Sequence, residues 1–346
     1  MSIRLRCHLS WPGWLWLVAS ALAVPPAQAQ PVDAGGVRAF KVPRTPDGRP
    51  DLQGTWLSKT ATPLERPKAL EGKARLTDEE LAQLKTRAAR LFAGGQSDFA
   101  AGDNVFLAAL GSAERFKSPT ATHGSEEMIE REFDHRTSLV TDPPDGRIPP
   151  VTEAGQRRRD ALAAATARGD GPEDFSHGNR CLAWGAPRLG GRYGAGDLGY
   201  YQIVQTPGYV VLFMETGHEA RIVPTDGRPH LPSNVRQLSG DSRGRWEGDT
   251  LVIESTNFSP KSDFMGAADG LHVVERLTRT GLETIRYEMT LADPTMWTAS
   301  WSAEMPLKFT TEPLYESACH EGNYEIMRGL LSAARAQHAS GTDRTK

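Results

Sequence analysis

The feature that most constrains the fold of this chain is a change in sequence period at about residue 199. From there on, apolar and polar residues alternate in short segments separated by turn dipeptides such as Pro207-Gly208. Such alternation is typical of β-strands with one buried face, and short turns join antiparallel neighbours. A succession of about seven or eight strands must hide its edges. The sequence therefore predicts a mainly β (α+β) fold, an antiparallel meander that closes into a barrel or a sandwich.

The segments of this region differ in how clearly their apolar and polar residues alternate. Residues 284–291 and 297–307 alternate most cleanly, so each is predicted as a strand. Residues 138–140 are a shorter strand candidate that lies upstream of the period change. Residues 240–244 are bounded by glycines at both ends, and glycine pairs of this kind favour loops. We therefore expect a loop there rather than a strand.

Three helices are predicted outside the meander. A capping box that begins at Thr77 predicts a helix over 77–92. Thr152 is the expected cap of a second helix over 152–167, with Gly169 as its stop. A third helix is expected over 324–336. The first two helices give the region before the meander a helical and loop-rich character.

The chain is expected to have four parts. Residues 1–29 combine a basic start, a short apolar stretch and a small-x-small site, which is the pattern of a secretory signal. The apolar stretch is too short to span a bilayer. Residues 30–175 form an N-terminal arm with a helical, loop-rich region, 176–336 form the β-rich domain, and 337–346 form a disordered tail. The signal predicts a periplasmic or secreted protein without a membrane span.

The net charge and the absence of several known motifs exclude some classes of partner and cofactor. The formal net charge is −3, which argues against nucleic acid or an anionic membrane as a partner. The sequence also lacks glycine-rich nucleotide-binding motifs, a nucleophile elbow and a Cys-x-x-Cys-His haem motif. We therefore expect no organic cofactor and no metal, and a small molecule as ligand or substrate.

Two of the three cysteines, Cys181 and Cys319, lie outside the predicted signal. In an oxidising compartment an isolated pair of cysteines usually forms a disulfide, and this interpretation is favoured here. The alternative is a Cys-His nucleophile, because His320 follows Cys319 directly. On an extended segment, neighbouring side chains point to opposite sides, which argues against that pairing. A disulfide would leave His320 as the part of this segment that can do chemistry.

Three motifs resemble those of a family of exported bacterial proteins that is numerous in soil bacteria, acidobacteria among them. They are DPPDGR at 142–147, GDSRGRWEGDTL at 240–251 and CHEGNY at 319–324. The resemblance extends over most of the chain after the predicted signal. It implies export and a shared β-rich domain, and it brings no catalytic residues with it.

The candidate catalytic residues combine titratable side chains with predicted loop or strand positions. A histidine and a carboxylate that face one pocket can move a proton to and from a substrate. The structural alternative is that pairs such as an aspartate and an arginine in one loop stabilise a turn. Arg221 and Glu275 belong to the same set of charged residues around the hairpins. The candidates are His218, Glu215, His320, Asp241, Arg243 and Glu304.

These residues favour an exported, cofactor-independent enzyme that acts on a small organic molecule by acid–base chemistry, of the lyase or isomerase type. On this hypothesis, replacing His218 or His320 with alanine should abolish turnover. One alternative is a non-catalytic ligand-binding β-barrel protein. Another is a metal-dependent hydrolase with ligands from separate strands, although the histidines show no metal-binding spacing. Titratable, convergent residues on the inner face of the strands would favour the enzyme.

Overall fold

The computed structural model of the protein describes residues 40–93, 104–111, 131–183, 200–316 and 318–343. The predicted secretory signal, residues 1–29, lies outside these ranges. Among the helices that they contain, none has the length and apolarity needed to cross a membrane.

The described residues form ten β-strands and four α-helices. The strands are β1 (Gly54–Leu57), β2 (Val140–Asp142), β3 (Tyr200–Thr206), β4 (Tyr209–Met214), β5 (Glu219–Pro224), β6 (Asp241–Glu247), β7 (Thr250–Thr256), β8 (His272–Gly281), β9 (Thr284–Ala292) and β10 (Trp301–Thr310). The helices are α1 (Asp78–Ala93), α2 (Asn104–Leu110), α3 (Glu153–Arg168) and α4 (Asn323–Asp343). Strands β3 to β10 all follow residue 199, where the sequence period changes.

Nine of the described strands form an antiparallel sheet in the order β5-β4-β3-β1-β10-β9-β8-β7-β6, and β2 pairs with β10 beside it. The end strands β5 and β6 lie against each other, so the sheet is nearly closed into a barrel. Gly244 of β6 permits this approach, because a Cβ atom there would lie 2.9 Å from Val223 Cγ1 on β5. The predicted antiparallel β fold is confirmed, and it takes the form of a nearly closed barrel.

The inner face of the barrel holds the main hydrophobic core. Trp297 and Trp301 are almost completely buried in it and pack edge to face, with 5.6 Å between ring centroids. The predicted strand over 297–307 starts too early, since β10 begins at Trp301. Trp297 lies before the strand instead, in an isolated β-bridge with Val151, and its amide and that of Met296 donate to the Asp293 carbonyl.

Strand β6 is an element that the sequence prediction missed. The expectation of a loop at 240–244 is wrong, because β6 pairs with β7 along its whole length. Its inward positions face those of Leu251 and Ile253, but two of them are occupied by Ser242 and Gly244. Small inward residues carry little apolar signal, so the alternation is hard to see. Strand β2 is also shifted and starts at Val140, two residues after the predicted start.

The helix predictions are confirmed at their starts. Ahead of α1, Thr77 and Glu80 exchange the two hydrogen bonds of a capping box, at 2.8 and 3.2 Å. Ahead of α3, the Thr152 hydroxyl accepts the Gly155 amide at 3.0 Å, and Gly169 ends the helix with φ of 58°. Helix α4 continues to Asp343, beyond its predicted end at residue 336.

The predicted disulfide is confirmed. Cys181 and Cys319 are bonded, and they lie 138 residues apart in sequence. The bond connects the turn after α3 to the turn before α4, and these two helices pack against each other. A small cluster of Phe175, Met327 and Ala334 is buried between them.

Candidate functional site

The turn between β4 and β5 holds two of the predicted catalytic residues. Glu215 is buried, and its Oε1 accepts the backbone amide of Tyr315 at 2.8 Å. His218 is exposed at φ of 49°, and its ring stacks on Phe213 at 6.1 Å between centroids. Glu215 therefore holds the segment that follows β10 against this turn.

Two further predicted residues lie on other elements. His320 lies in a turn over 319–322, so the expectation of an extended segment around Cys319 is wrong. Glu304 lies on β10 at an outward position, and its Oε1 accepts a hydrogen bond from Arg136 Nη1 at 3.2 Å. In that contact Glu304 acts as the partner of a half-buried arginine.

Asp241 and Arg243 lie on β6 rather than in the expected loop, and the structure does bring them together. The Asp241 side chain is 4% exposed. One of its oxygens accepts from Arg243 Nη1 at 2.5 Å, and the other accepts from the Leu231 amide at 2.9 Å. Burial alone would raise the pKa of the Asp241 carboxyl, but the Leu231 amide, His230 and Arg243 outweigh it and hold the pKa below its usual value.

His230 is the residue of this group that sequence reasoning missed. Its Nδ1 lies 2.9 Å from Asp241 Oδ2. An ionised carboxylate only accepts hydrogen bonds, so Nδ1 is the donor, and in the neutral form of the ring Nε2 carries the lone pair. Nε2 is buried and has no hydrogen-bond partner in the described part of the chain. Arg243 Nε donates to the Pro229 carbonyl at 2.8 Å and so holds the loop that carries His230.

A second histidine–carboxylate pair lies beside the first. Glu254 of β7 is opposite Arg243 in the strand register, and its Oε1 lies 2.7 Å from His272 Nε2. The hydrogen bond from His272 lowers the pKa of Glu254, burial opposes this, and the charge of Arg245 adds to the lowering. The outer-face cluster therefore consists of His230, Asp241, Arg243, Glu254 and His272.

A different polar cluster lies inside the barrel. Arg221 of β5 makes two hydrogen bonds to Glu275 of β8, at 2.5 and 2.8 Å, and Tyr287 of β9 donates to the same carboxylate. The Glu275 side chain is 0% exposed and that of Arg221 is 10% exposed. Burial and the Glu275 charge raise the pKa of Tyr287 well above its usual value, so the phenol stays protonated and can donate. The Arg221 and Glu275 charges converge on the inner face and neutralise each other.

The described residues contain no group of three or more His, Cys, Asp or Glu side chains arranged to hold a metal ion. Comparisons of the chain with protein-family models and with curated proteins found no match. The resemblance to exported proteins of soil bacteria therefore stays a prediction.

The lowered pKa of Asp241 has a consequence for acid stability. Because the folded pKa lies below the unfolded value of about 3.9, Asp241 stabilises the folded chain above that pH, and the contribution is lost as the pH falls through the folded pKa. Asp241→Asn should lower the free energy of unfolding by about 1–3 kcal/mol at pH 7. Parent and variant should converge in strong acid. Urea denaturation at both pH values measures this.

Asp160→Asn is the control, since Asp160 is exposed on α3. It should change stability little at either pH. A difference between the parent and Asp241→Asn that does not depend on pH would contradict the ionised state assigned to Asp241.

Proposed function

We propose that the protein is an exported enzyme that acts on a small organic molecule by acid–base chemistry, with His230 and Asp241 as its proton-transferring pair. One observation carries the proposal. The imidazole of His230 is held at Nδ1 by a buried carboxylate, while Nε2 has no hydrogen-bond partner in the described part of the chain. Orientation of a histidine by a carboxylate is the arrangement that makes the other ring nitrogen an effective base.

The neighbouring groups suit a proton abstraction. When Nε2 takes a proton, the carboxylate of Asp241 stabilises the imidazolium that forms. Arg243 donates hydrogen bonds from Nε and Nη1 to other groups of the protein, and Nη2 makes no hydrogen bond to the described residues. That group can stabilise negative charge that develops on the substrate. This combination favours a lyase or isomerase reaction over a hydrolysis.

Access to the base requires movement. Nε2 of His230 is covered, although the His230 side chain as a whole is 27% exposed. Catalysis on this proposal requires the atoms that cover Nε2 to move aside when substrate binds, while His230 stays on Asp241. Local movements of this kind commonly accompany substrate binding in enzymes.

Two further parts of the proposal rest on separate observations. The Cys181–Cys319 disulfide supports export, because disulfides persist in oxidising compartments. A ligand inside the barrel, as a non-catalytic binding protein would require, is less favoured, because apolar side chains from β3 to β10 fill the interior as one core.

The activity can be tested before the substrate is identified. A panel of small carbonyl compounds is incubated with the protein in D2O, and ¹H NMR follows exchange of the hydrogens next to the carbonyl. At least one compound should exchange faster with protein than without it. His230→Gln should lower that rate about 10²- to 10⁴-fold, which is the usual contribution of a general base.

His135→Gln is the matched control, because His135 also pairs with an aspartate, Asp78 at 2.8 Å, but on a different part of the molecule. His218→Gln and His320→Gln test the positions that the sequence predicted. If either of these two variants loses exchange while His230→Gln keeps full activity, the catalytic role belongs to His218 or His320 instead of His230. No exchange with any compound would contradict a lyase or isomerase function.

A second readout needs no substrate. Long-range ¹H–¹⁵N spectra should show His230 with its proton on Nδ1, and Asp241→Asn should change that tautomer balance. A neutral His230 ring with its proton on Nε2 in the parent protein would rule out His230 Nε2 as the base.

A further inference from the structure

A groove of about 840 Å³ lies between α3, the turn that follows it, the loop at 260–263, and α4. Its volume is within the range of small-molecule sites in proteins. Leu162, Phe175 and Leu330 give it an apolar lining. The groove is on the outside of the barrel, and none of the outer-face cluster residues lines it.

Four basic side chains line the same groove: Arg158, His177, Arg180 and Lys261. The Nε groups of Arg158 and Arg180 are both buried and have no hydrogen-bond partner in the described part of the chain. Arg158 is held in place, because its Nη2 donates to the carbonyls of Pro260 and Ser262, each at 3.1 Å. A buried N–H group without an acceptor costs stability, and a bound anion is one acceptor that can offset this cost.

The acidic residues of the groove do not satisfy these cations. Asp174 accepts the amides of Asp170 and Gly171, and Asp263 accepts the amide of Gly266. Glu173 is exposed. Within the described residues, none of the arginines or the lysine of the groove forms an ion pair.

His177, which lines the same groove, has a lowered pKa. Burial lowers the pKa of His177, and the charges of Arg180 and Lys261 lower it further, against an opposing effect of Asp263. His177 is therefore neutral at pH 7 and can donate or accept a hydrogen bond.

We propose that this groove binds a small monocarboxylic acid with an apolar body, whose carboxylate is held by Arg158, Arg180 and Lys261. The apolar body then lies against Leu162, Phe175 and the facing side of α4. Guanidinium groups suit this ligand because they donate two hydrogen bonds to one carboxylate. The site does not depend on the acid–base function proposed above.

Decanoate is a suitable probe, because it has one carboxylate and an apolar chain. Isothermal titration of the full chain should show saturable binding of decanoate, and weaker binding of both acetate and decanol. The ring signals of His177, assigned with His177→Gln, should shift as decanoate is added. Failure of decanoate to bind, or equal binding of decanol, would overturn the proposal.

Variants locate the site. Arg180→Gln should weaken decanoate binding about 10- to 100-fold, as expected for loss of a hydrogen bond to a charged group. Arg157→Gln is the matched control, because Arg157 is the neighbour of Arg158 on α3 and its side chain is 73% exposed to solvent. Unchanged affinity in Arg180→Gln would place the ligand elsewhere.

Ala333→Trp gives an independent check of the apolar part. Ala333 is exposed on α4 and lines the groove, so a larger side chain there fills the groove without entering the core. Decanoate binding should be lost at an unchanged melting temperature. Parent-like binding of decanoate by this variant would contradict the proposed position of the apolar body.

Discussion

Replacing Glu275 with leucine should lower the free energy of unfolding by about 3–5 kcal/mol, the usual cost of breaking a buried ion pair. Both oxygens of this carboxylate are bonded to Arg221, and the Tyr287 hydroxyl adds a third hydrogen bond. Loss of the carboxylate leaves a buried guanidinium without a counter-charge. Equilibrium denaturation in urea, followed by tryptophan fluorescence, measures the difference.

The double variant Arg221→Met with Glu275→Leu separates the two possible causes of that loss. Apolar side chains of similar size need no counter-charge, so most of the lost stability should return. Glu288→Gln is the control, since Glu288 pairs with Arg286 in an exposed bridge, and such bridges contribute at most about 1 kcal/mol. If Glu275→Leu unfolds at the same urea concentration as the parent, the pair does not stabilise the barrel.

Cys181→Ser should have an effect of similar size. The disulfide closes a loop between residues 138 apart in sequence. The chain-entropy model gives about 5 kcal/mol for a loop of this length, because the cross-link restricts the unfolded chain. Thermal unfolding should therefore begin at a clearly lower temperature in the variant.

Reductant and a second variant test the same bond. Cys319→Ser and the double serine variant should melt like Cys181→Ser, because each removes the same cross-link. Reductant should lower the melting temperature of the parent and leave all three variants unchanged. A Cys181→Ser protein that melts like its parent would show that the loop closure contributes nothing.

Much of the barrel could be predicted because its strands carry the pattern that burial imposes. In β9, Ile285, Tyr287 and Met289 are buried and alternate with polar residues. The helix starts could also be predicted, because a capping residue such as Thr152 bonds to residues that are close to it in sequence. Strand β6 was missed for the opposite reason, since its inward positions include Ser242 and Gly244.

The candidate site could be predicted only in part. Asp241 and Arg243 are two residues apart on one strand, so both point outward and meet. His230 reaches Asp241 through an irregular loop, and no periodic pattern reports the path of such a loop. Arg221 and Glu275 meet because closure of the barrel brings β5 near β8, which is a property of the whole sheet. One indication of this pair was visible in the sequence, because Glu275 is a charged residue at an inward position between Val273 and Leu277.

The position of β1 has a consequence for how the chain folds. This strand lies between β3 and β10, and its Thr55 pairs with Thr310, 255 residues further along the chain. The hairpins from β6 to β10 involve neighbours in sequence and can form as each strand becomes available. The β1–β10 pairing has to wait for the last strand, and closing so long a loop costs entropy before any contact is gained. In a chain that is synthesised from its N-terminus, β1 therefore cannot pair with β10 until most of the protein has been made.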